Sequence, residues 1–201
     1  MAQTKKTNNS YLGNKIELRC RHLPDLISVL DCYGGSGAIW TGVQSKTQRK
    51  IRRIGIDKID YGVGFYLDGD NMAFLQNANL NKFTVIDLDA YGVPYEQLKV
   101  LFKRGYHGRV FVTFIQSLYG QMPIGLLEDI GFTHDMVSEI PTLFGKRGWQ
   151  YFLEWLALNG VRAVTHRSRG RKHYLTFDIN DAAGSSLDYD NLQEDKVADH
   201  A

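Results

Sequence analysis

A carboxylate, an aromatic ring and a proline lie close together at Asp89, Tyr91 and Pro94. They follow the β-prone run 83–88, so we expect them at the end of a buried strand, where α/β sheets bind ligands. A carboxylate there can accept the N–H groups of an amine and direct its lone pair, while an aromatic face can stack on a planar base. These three residues are the predicted catalytic set, acting mainly by positioning.

A glycine cluster occupies residues 31–37 (D-C-Y-G-G-S-G), directly after the aliphatic pair Val29 and Leu30. Glycine permits φ > 0, and its missing Cβ lets the backbone approach a ligand. A strand, a glycine turn and a helix in this order bring an α/β sheet close to a bound nucleotide. The alternative is a glycine turn that binds nothing. The predicted contacts with a nucleotide-like ligand are Asp31, Tyr33, Gly34, Gly35 and Gly37.

The same cluster resembles motif I of class I S-adenosylmethionine (SAM) methyltransferases, in which an acid precedes a small or aromatic residue and G-x-G. The resemblance implies SAM as cofactor. Asp57 ends the next β-prone run about twenty residues later, where an acid can bind ribose hydroxyls. Asp70 matches the acid for the adenine amino group; it could equally be just a helix N-cap, and the two roles are compatible. Neighbours complete the predicted cofactor set: Lys58, Asn71 and Asp87.

Alternating strands and helices predict an α/β fold with a doubly wound sheet. With the resemblance at residues 31–37, this implies a Rossmann-like class I methyltransferase fold. Its sheet should be mostly parallel, with a C-terminal antiparallel hairpin formed by residues 161–166 and 173–179. Strands are expected at 29–33, 52–57, 83–89 and 110–115, and helices at 38–44, 95–103 and 149–158. The predicted organisation is a flexible arm (1–10), a methyltransferase domain (11–179) and an acidic, disordered tail (180–201).

Residues 83–94, with the strand at 110–113, resemble the dimethylguanosine tRNA methyltransferases, whose catalytic strand reads I-D-L-D-P-F-G-S-P. By that resemblance Asp89 is the catalytic aspartate, and Tyr91, Gly92 and Pro94 match the aromatic and the turn. The chain departs from the pattern at Ala90 and Val93, and it has no counterpart of that family's large tRNA-binding domain.

Residues 11–15 (Y-L-G-N-K) are similar to the Y-x-G-x-K segment of adenine-amino DNA methyltransferases, although only Asp89 matches their D-P-P-Y motif. This similarity implies that Lys15 lies near the carboxylate of the cofactor. A plain turn before a helix is the alternative interpretation.

The net charge is +2, but residues 180–201 hold six acids against one lysine, so the body is more basic than the total. Basic residues concentrate at 5–21, 46–58 and 162–172, which favours an anionic partner such as nucleic acid. The hairpin is predicted to bind substrate phosphates; a solvated hairpin tip is equally compatible. Its candidates are Arg167, Arg169, Arg171 and Lys172.

The 201 residues, 43% of them hydrophobic, suffice for one globular domain. No apolar run reaches membrane-spanning length and the N-terminus is polar, which argues against membrane insertion and secretion. Cys20 and Cys32 have neither disulfide nor metal-ligand spacing, which suits the cytoplasm. The six histidines likewise form no metal-binding pattern.

The sequence therefore predicts a SAM-dependent enzyme that methylates an exocyclic amine of a nucleic-acid base, with tRNA or other RNA favoured over DNA. One alternative is a nucleic-acid-binding accessory protein whose methyltransferase fold is inactive. The other is a methyltransferase for a small molecule or a protein.

Overall fold

The computed structural model describes residues 11–59, 61, 66–115, 122–140, 144–180 and 192–194. The predicted arm 1–10 lies outside this part of the chain. Within it, eight strands form one sheet in the order β3-β2-β1-β4-β5-β7-β6-β8. The strands are β1 (Ser28–Asp31), β2 (Arg52–Asp57), β3 (Tyr66–Asp68), β4 (Val85–Leu88), β5 (Gly108–Ile115), β6 (Val164–Arg169), β7 (Lys172–Ile179) and β8 (Leu192–Glu194).

Seven α-helices connect or flank these strands in the described ranges. They are α1 (Leu12–Arg21), α2 (Ala38–Thr47), α3 (Asn71–Asn77), α4 (Tyr95–Lys103), α5 (Ile124–Asp129), α6 (His134–Glu139) and α7 (Gly148–Leu158), with a short 3-10 turn at Leu80–Lys82. Strands β1 to β5 pair in parallel, and β7 runs antiparallel to both β5 and β6. The predicted α/β fold, with its C-terminal antiparallel hairpin, is confirmed.

The core divides into two layers because successive side chains of a strand point to opposite faces of the sheet. Val29, Val85 and Phe111 face the layer that α1 and α2 cover. Leu30 and Ile86 face the other, larger layer, which includes residues of α4 and α7. This alternation also determines which polar residues at the strand ends point toward α1.

The predicted boundaries of β2 and α4 match the structure, and α7 starts one residue earlier than expected. Helices α5 and α6 lie in a loop-rich segment to which the sequence analysis assigned no element. Strand β8 pairs in parallel with β6 inside the segment predicted to be a disordered tail. In the ranges given above, no helix is long and apolar enough to cross a membrane.

The predicted hairpin is present, but its connection is shorter than the interval 167–172 left between the two predicted strands. Strand β6 continues through Arg169 and β7 begins at Lys172, so only Gly170 and Arg171 connect them. Gly170 has φ +61°, which a two-residue hairpin connection accommodates. Arg167 is consequently a strand residue that is buried rather than exposed at a hairpin tip.

Candidate active site

Two ion pairs link α1 to the carboxyl end of β4. Lys15 pairs with Asp89 and Arg19 pairs with Asp87. Four residues advance a helix by about 6.0 Å and two residues advance a strand by about 6.6 Å. The spacing of the two cations on the helix therefore matches the spacing of the two carboxylates on one face of the sheet.

Asp87 is the acid of the buried ion pair, and its contacts hold helices to the sheet. Its Oδ2 accepts hydrogen bonds from Arg19 Nε and from Trp40 Nε1, both at 2.7 Å. Its Oδ1 accepts a third from Arg19 Nη2 at 2.6 Å. The Asp87 side chain is fully buried and does not line the site cavity. The structure thus shows Asp87 binding α1 and α2 to the sheet, and not in the position expected for a cofactor ligand.

Asp89 lies at the opposite, open end. Its Oδ2 is 2.7 Å from Lys15 Nζ, and its Oδ1 accepts a hydrogen bond from the Thr113 hydroxyl. An ionised carboxylate has about four lone-pair sites, so these two donors leave acceptor capacity on both oxygens. The Asp89 side chain is 12% exposed and lines the cavity. It can therefore still accept N–H groups from a ligand.

The glycine loop is fastened to β2 by backbone and carboxylate contacts. The Gly34 N–H donates to the Ile56 carbonyl and the Gly35 N–H donates to Asp57 Oδ2, both at 3.0 Å. Gly37, at the N-terminus of α2, has φ +73°, and its carbonyl accepts from Arg53 Nη1 at 3.0 Å. A Cβ on Gly37 would lie 2.7 Å from Arg53 Nη2. Glycine is therefore favoured here by its positive φ, whereas the contact with the long Arg53 side chain can be relieved by movement of that side chain.

Asp31 is a buried acid on the cavity wall at the end of β1. Burial, reinforced by the charge of Asp87, raises the pKa of its carboxyl group to about 8, against an opposing effect of Arg53 and Arg19. A cationic ligand beside Asp31 would favour its ionised form. The acid is consequently suited to an ammonium group more than to a neutral ligand.

A cavity of about 550 Å³ opens at the carboxyl ends of these strands. This volume falls in the ordinary range for small-molecule sites. The cavity brings together ten of the residues predicted from the sequence: Lys15, Asp31, Tyr33, Gly34, Gly35, Gly37, Asp57, Asp89, Tyr91 and Lys172. Residues from both the predicted cofactor set and the predicted catalytic set thus share one cavity.

Besides Asp87, three further predicted cofactor ligands are absent from the described cavity wall. Asp70 is the N-cap of α3, where its Oδ1 accepts from the Met72 N–H at 2.8 Å. Lys58 is an exposed side chain 3.6 Å from the Asp70 carboxylate. Asn71 is buried and donates from Nδ2 to the Cys32 carbonyl at 2.8 Å. The capping alternative considered for Asp70 is confirmed, and Asn71 holds β1 against α3.

Other predicted site residues also lie away from the described cavity wall. Pro94 is buried at the N-terminus of α4, so its contribution is to the turn rather than to a ligand contact. Arg169 and Arg171 are exposed at the hairpin, whereas Arg167 is buried in β6. The predicted phosphate contact of Arg167 is therefore wrong, because its guanidinium faces the interior.

Sequence reasoning missed several cavity residues, chiefly Thr113 and Tyr174. The two are cross-strand partners on β5 and β7. The alternation of β5 puts Thr113 on the same face as Phe111, which is the one signal that could have revealed it. Tyr174 reaches the site through the register of an antiparallel strand, which the sequence does not specify. Ile59, Tyr61 and Ile115 also line the wall.

No group of three or more metal-ligating side chains is close enough to hold an ion in the described part of the chain. The cavity walls offer carboxylates, an ammonium group, hydroxyls and aromatic rings.

No protein-family model and no curated protein matches this sequence. Solved structures do match. A protein of Escherichia coli provisionally assigned as the methyltransferase yhhF is 13% identical, with a TM-score of 0.50 over 89% of this chain and 90% of that chain. A Staphylococcus aureus protein provisionally assigned as a caffeoyl-CoA O-methyltransferase is 14% identical, with a TM-score of 0.52 over 86% and 85%.

A third similar structure, a protein of Lactococcus lactis provisionally assigned as a hemolysin, is 13% identical, with a TM-score of 0.52 over 92% of this chain and 95% of that chain. Likenesses at such low identity show a shared fold only, so any activity has to be inferred from the residues of the site. The strand order, the antiparallel β7 and these likenesses agree: the chain has the class I methyltransferase fold.

Proposed function

We propose that this protein is a SAM-dependent methyltransferase that modifies an exocyclic amine of a nucleic-acid base, with RNA the favoured substrate. One observation carries the proposal. The carboxylate of Asp89 faces the same cavity as the glycine loop at residues 34–37. A methyl donor held by the loop and an amine held by the carboxylate would therefore meet within one enclosed volume.

The residues present fit the cofactor. The tight loop at Gly34 and Gly35 leaves backbone close to the cavity, and Asp31 suits the ammonium group of the methionine half. Asp57 lies beside the same loop and is suited to the ribose hydroxyls. When bound, SAM supplies an electrophilic methyl group on a sulfonium sulfur. The protein itself supplies the anchoring acids and a cavity that holds the cofactor beside Asp89.

Asp89 orients the acceptor in this proposal. The lone pair of an exocyclic amine is delocalised into the base, so the amine is a weak nucleophile unless it is held in position. Acceptance of its N–H groups by Asp89 would direct the nitrogen toward the methyl donor. Tyr91 is 84% exposed and borders the cavity, which leaves its ring accessible for stacking on the base.

Positive charge beside the cavity supports a nucleic-acid substrate. Lys172 lines the cavity, and Arg169 and Arg171 are exposed on the same hairpin. Lysine and arginine bind phosphates and release counterions from the polymer. When a base enters the cavity, the sugar–phosphate backbone of its nucleic acid would therefore lie near the basic hairpin between β6 and β7.

The test combines binding with transfer. Calorimetry with S-adenosylhomocysteine should show binding to the wild-type protein that is lost or weakened at least about tenfold in Asp57→Ala. Tritiated SAM should label an RNA fraction in preference to DNA or protein, and Asp89→Asn should lower that transfer about 100-fold while leaving cofactor affinity unchanged. Asp178→Asn, which alters a carboxylate paired with Arg109 outside this cavity, is the matched control.

The outcomes separate the alternatives. No heat with the cofactor product would contradict the proposal outright. Binding of RNA without any methyl transfer from SAM, with RNA affinity unchanged in Asp89→Asn, would favour the inactive accessory protein. Equal transfer by Asp89→Asn and wild type would contradict the role proposed for Asp89. Transfer to a small molecule or a protein, insensitive to salt, would favour the other alternative, because phosphate contacts weaken steeply as salt rises.

A further inference from the structure

Tyr174 lines the cavity and carries a buried hydroxyl group. The residue is 1% exposed and lines the cavity from β7. Its hydroxyl has no hydrogen-bond partner among the described residues. Buried hydroxyls are nearly always paired, and an unpaired one is unfavourable for folding. The group therefore has the property of a side chain whose partner arrives with a ligand.

The polar neighbours of this hydroxyl are already committed to one another. Lys15 Nζ lies 5.7 Å from the centre of the Tyr174 ring and donates to Asp89. The Thr113 hydroxyl, directly across from Tyr174 in the β5–β7 pairing, also donates to Asp89. Lys15 and Thr113 thus already donate to Asp89, whereas the neighbouring Tyr174 hydroxyl has no acceptor among the described residues.

We propose that the Tyr174 hydroxyl recognises the acceptor base by donating a hydrogen bond to the ring nitrogen next to the methylated amine. This inference rests on the proposed function and names the side chain that would recognise the amine-bearing edge of its substrate. Asp89 would accept the N–H of the amine while Tyr174 donates to the adjacent atom. Asp89 and Tyr174 together would then recognise a base edge that has one hydrogen-bond donor beside one acceptor. Amino-bearing bases have such an edge.

The ionisation of Tyr174 is compatible with this role. Burial, together with the nearby charge of Asp89, raises the pKa of its phenol to about 12. The hydroxyl therefore keeps its proton throughout the physiological pH range and remains a donor. A base without an acceptor atom beside its amine would leave this donor unpaired in the complex, and such mismatches reduce binding strongly.

The variant Tyr174→Phe removes the hydroxyl and keeps the ring. Transfer would be measured with tritiated SAM on poly(A), poly(C), poly(G), poly(U) and total tRNA. On the labelled substrates we expect kcat/KM to fall about 10- to 100-fold, while affinity for S-adenosylhomocysteine changes less than about twofold. Tyr106→Phe is the control, because Tyr106 is equally buried but lies outside the cavity.

An atom exchange in the substrate tests the contact itself. The labelled base is replaced by its deaza analogue, which lacks the ring nitrogen beside the amine (for adenine, the 1-deaza form). Wild type should lose about 10- to 100-fold in kcat/KM on this analogue, and Tyr174→Phe should lose nothing further.

Several results would overturn the inference. Equal transfer by Tyr174→Phe and wild type would refute it while leaving the proposed function intact. A loss of cofactor affinity in Tyr174→Phe would show that the hydroxyl contacts the cofactor instead. A lower melting temperature of the ligand-free variant would show an internal partner for the hydroxyl. Failure of wild type to bind S-adenosylhomocysteine, or to label any polymer, would refute the proposed function and this inference together.

Discussion

Arg19 and Asp87 form a two-point ion pair in the interior, with Nε and Nη2 of the arginine 2.7 and 2.6 Å from the two carboxylate oxygens. The two side chains are 2% and 0% exposed. Because the pair is shielded from solvent, each charge depends on the other for its compensation. The same aspartate also binds Trp40, so one carboxylate connects α1, α2 and β4.

Removal of the cation from this pair should be severely destabilising. Arg19→Met leaves the Asp87 carboxylate buried with only Trp40 as donor, and we expect a loss of about 3–5 kcal/mol in the free energy of unfolding. The measurement is urea denaturation followed by circular dichroism. Arg21→Met, which breaks the exposed Glu17–Arg21 contact one half-turn further along α1, should cost under about 0.5 kcal/mol. Equal losses in both variants would contradict the argument.

Asp31 should make the ligand-free protein less stable as the pH rises. Its pKa is about 8 in the folded protein against an ordinary 3.8, so the neutral form is favoured by folding. The stabilisation is complete below pH 3.8 and is lost as the pH rises through about 8. Asp31→Asn, which stays neutral, should therefore melt roughly 2–8 °C above wild type at pH 8.5, since each kcal/mol shifts the midpoint by about 2–4 °C.

The same substitution, Asp31→Asn, should weaken binding of the proposed cofactor. The amide side chain of Asp31→Asn would carry no charge opposite an ammonium group, so calorimetry at pH 8 should show S-adenosylhomocysteine binding at least about tenfold weaker than in wild type. The stability and the affinity of Asp31→Asn should thus change in opposite directions. An Asp31→Asn protein that is less stable than wild type at pH 8.5 would contradict the assigned pKa.

Comparison of Gly37→Ala with Gly105→Ala should distinguish the effect of backbone strain on stability from its effect on ligand binding. Gly37 has φ +73° and a Cβ there would meet Arg53. Gly105 has a similar φ of +59° but open space around it, away from the cavity. Alanine at either position should cost about 1–2 kcal/mol in the free energy of unfolding. Only Gly37→Ala should also weaken the binding of S-adenosylhomocysteine, because its strain falls on the loop proposed to bind the ligand. Equally weakened binding in Gly105→Ala would contradict the assignment of the ligand to that loop.

His173 should make the protein sensitive to acid. Burial, together with the charge of His166, lowers the pKa of its imidazole from 6.5 to about 4. In the unfolded chain this imidazole therefore binds a proton near pH 6.5, whereas in the folded protein it stays neutral until about pH 4. The free energy of unfolding consequently falls as the pH drops from 6.5 toward 4. His173→Phe keeps the stacking on Trp149, where the ring centroids are 4.1 Å apart.

At pH 5 the His173→Phe variant should retain on the order of 1 kcal/mol more of its neutral-pH stability than wild type, as measured by denaturation at pH 7 and pH 5. His134→Gln is the comparison, since His134 is exposed beside Glu128. A pH dependence that His173→Phe leaves unchanged would assign the acid sensitivity to other groups.

The sequence predicted those features that local patterns determine. Strand β2 and helix α4 have strong β-branched and amphipathic signals, and Asp31 and Asp57 follow from their places at strand ends. What it could not predict depends on distant pairing. Arg167 looked like a turn residue because its neighbours are basic, yet β6 extends through it and buries it.

The role of Asp87 shows the same limit. From the sequence, Asp87 and Asp89 are equivalent acids two residues apart in one strand. Only the position of α1 distinguishes them, because Arg19 covers the first and Lys15 leaves the second open to the cavity. Tyr174 was equally invisible, since its contact with the site follows from a register between strands about sixty residues apart along the chain.

The insertion of β7 between β5 and β6 has a consequence for how the protein folds. The glycine loop and the first five strands precede residue 116, whereas the wall that carries Tyr174 belongs to a strand pairing across a long sequence separation. Such pairings are slow to form because chain entropy must be lost first. In a ribosome-bound chain the glycine loop would thus emerge before the strand that carries Tyr174, so the cavity is complete only when β7 has paired with β5.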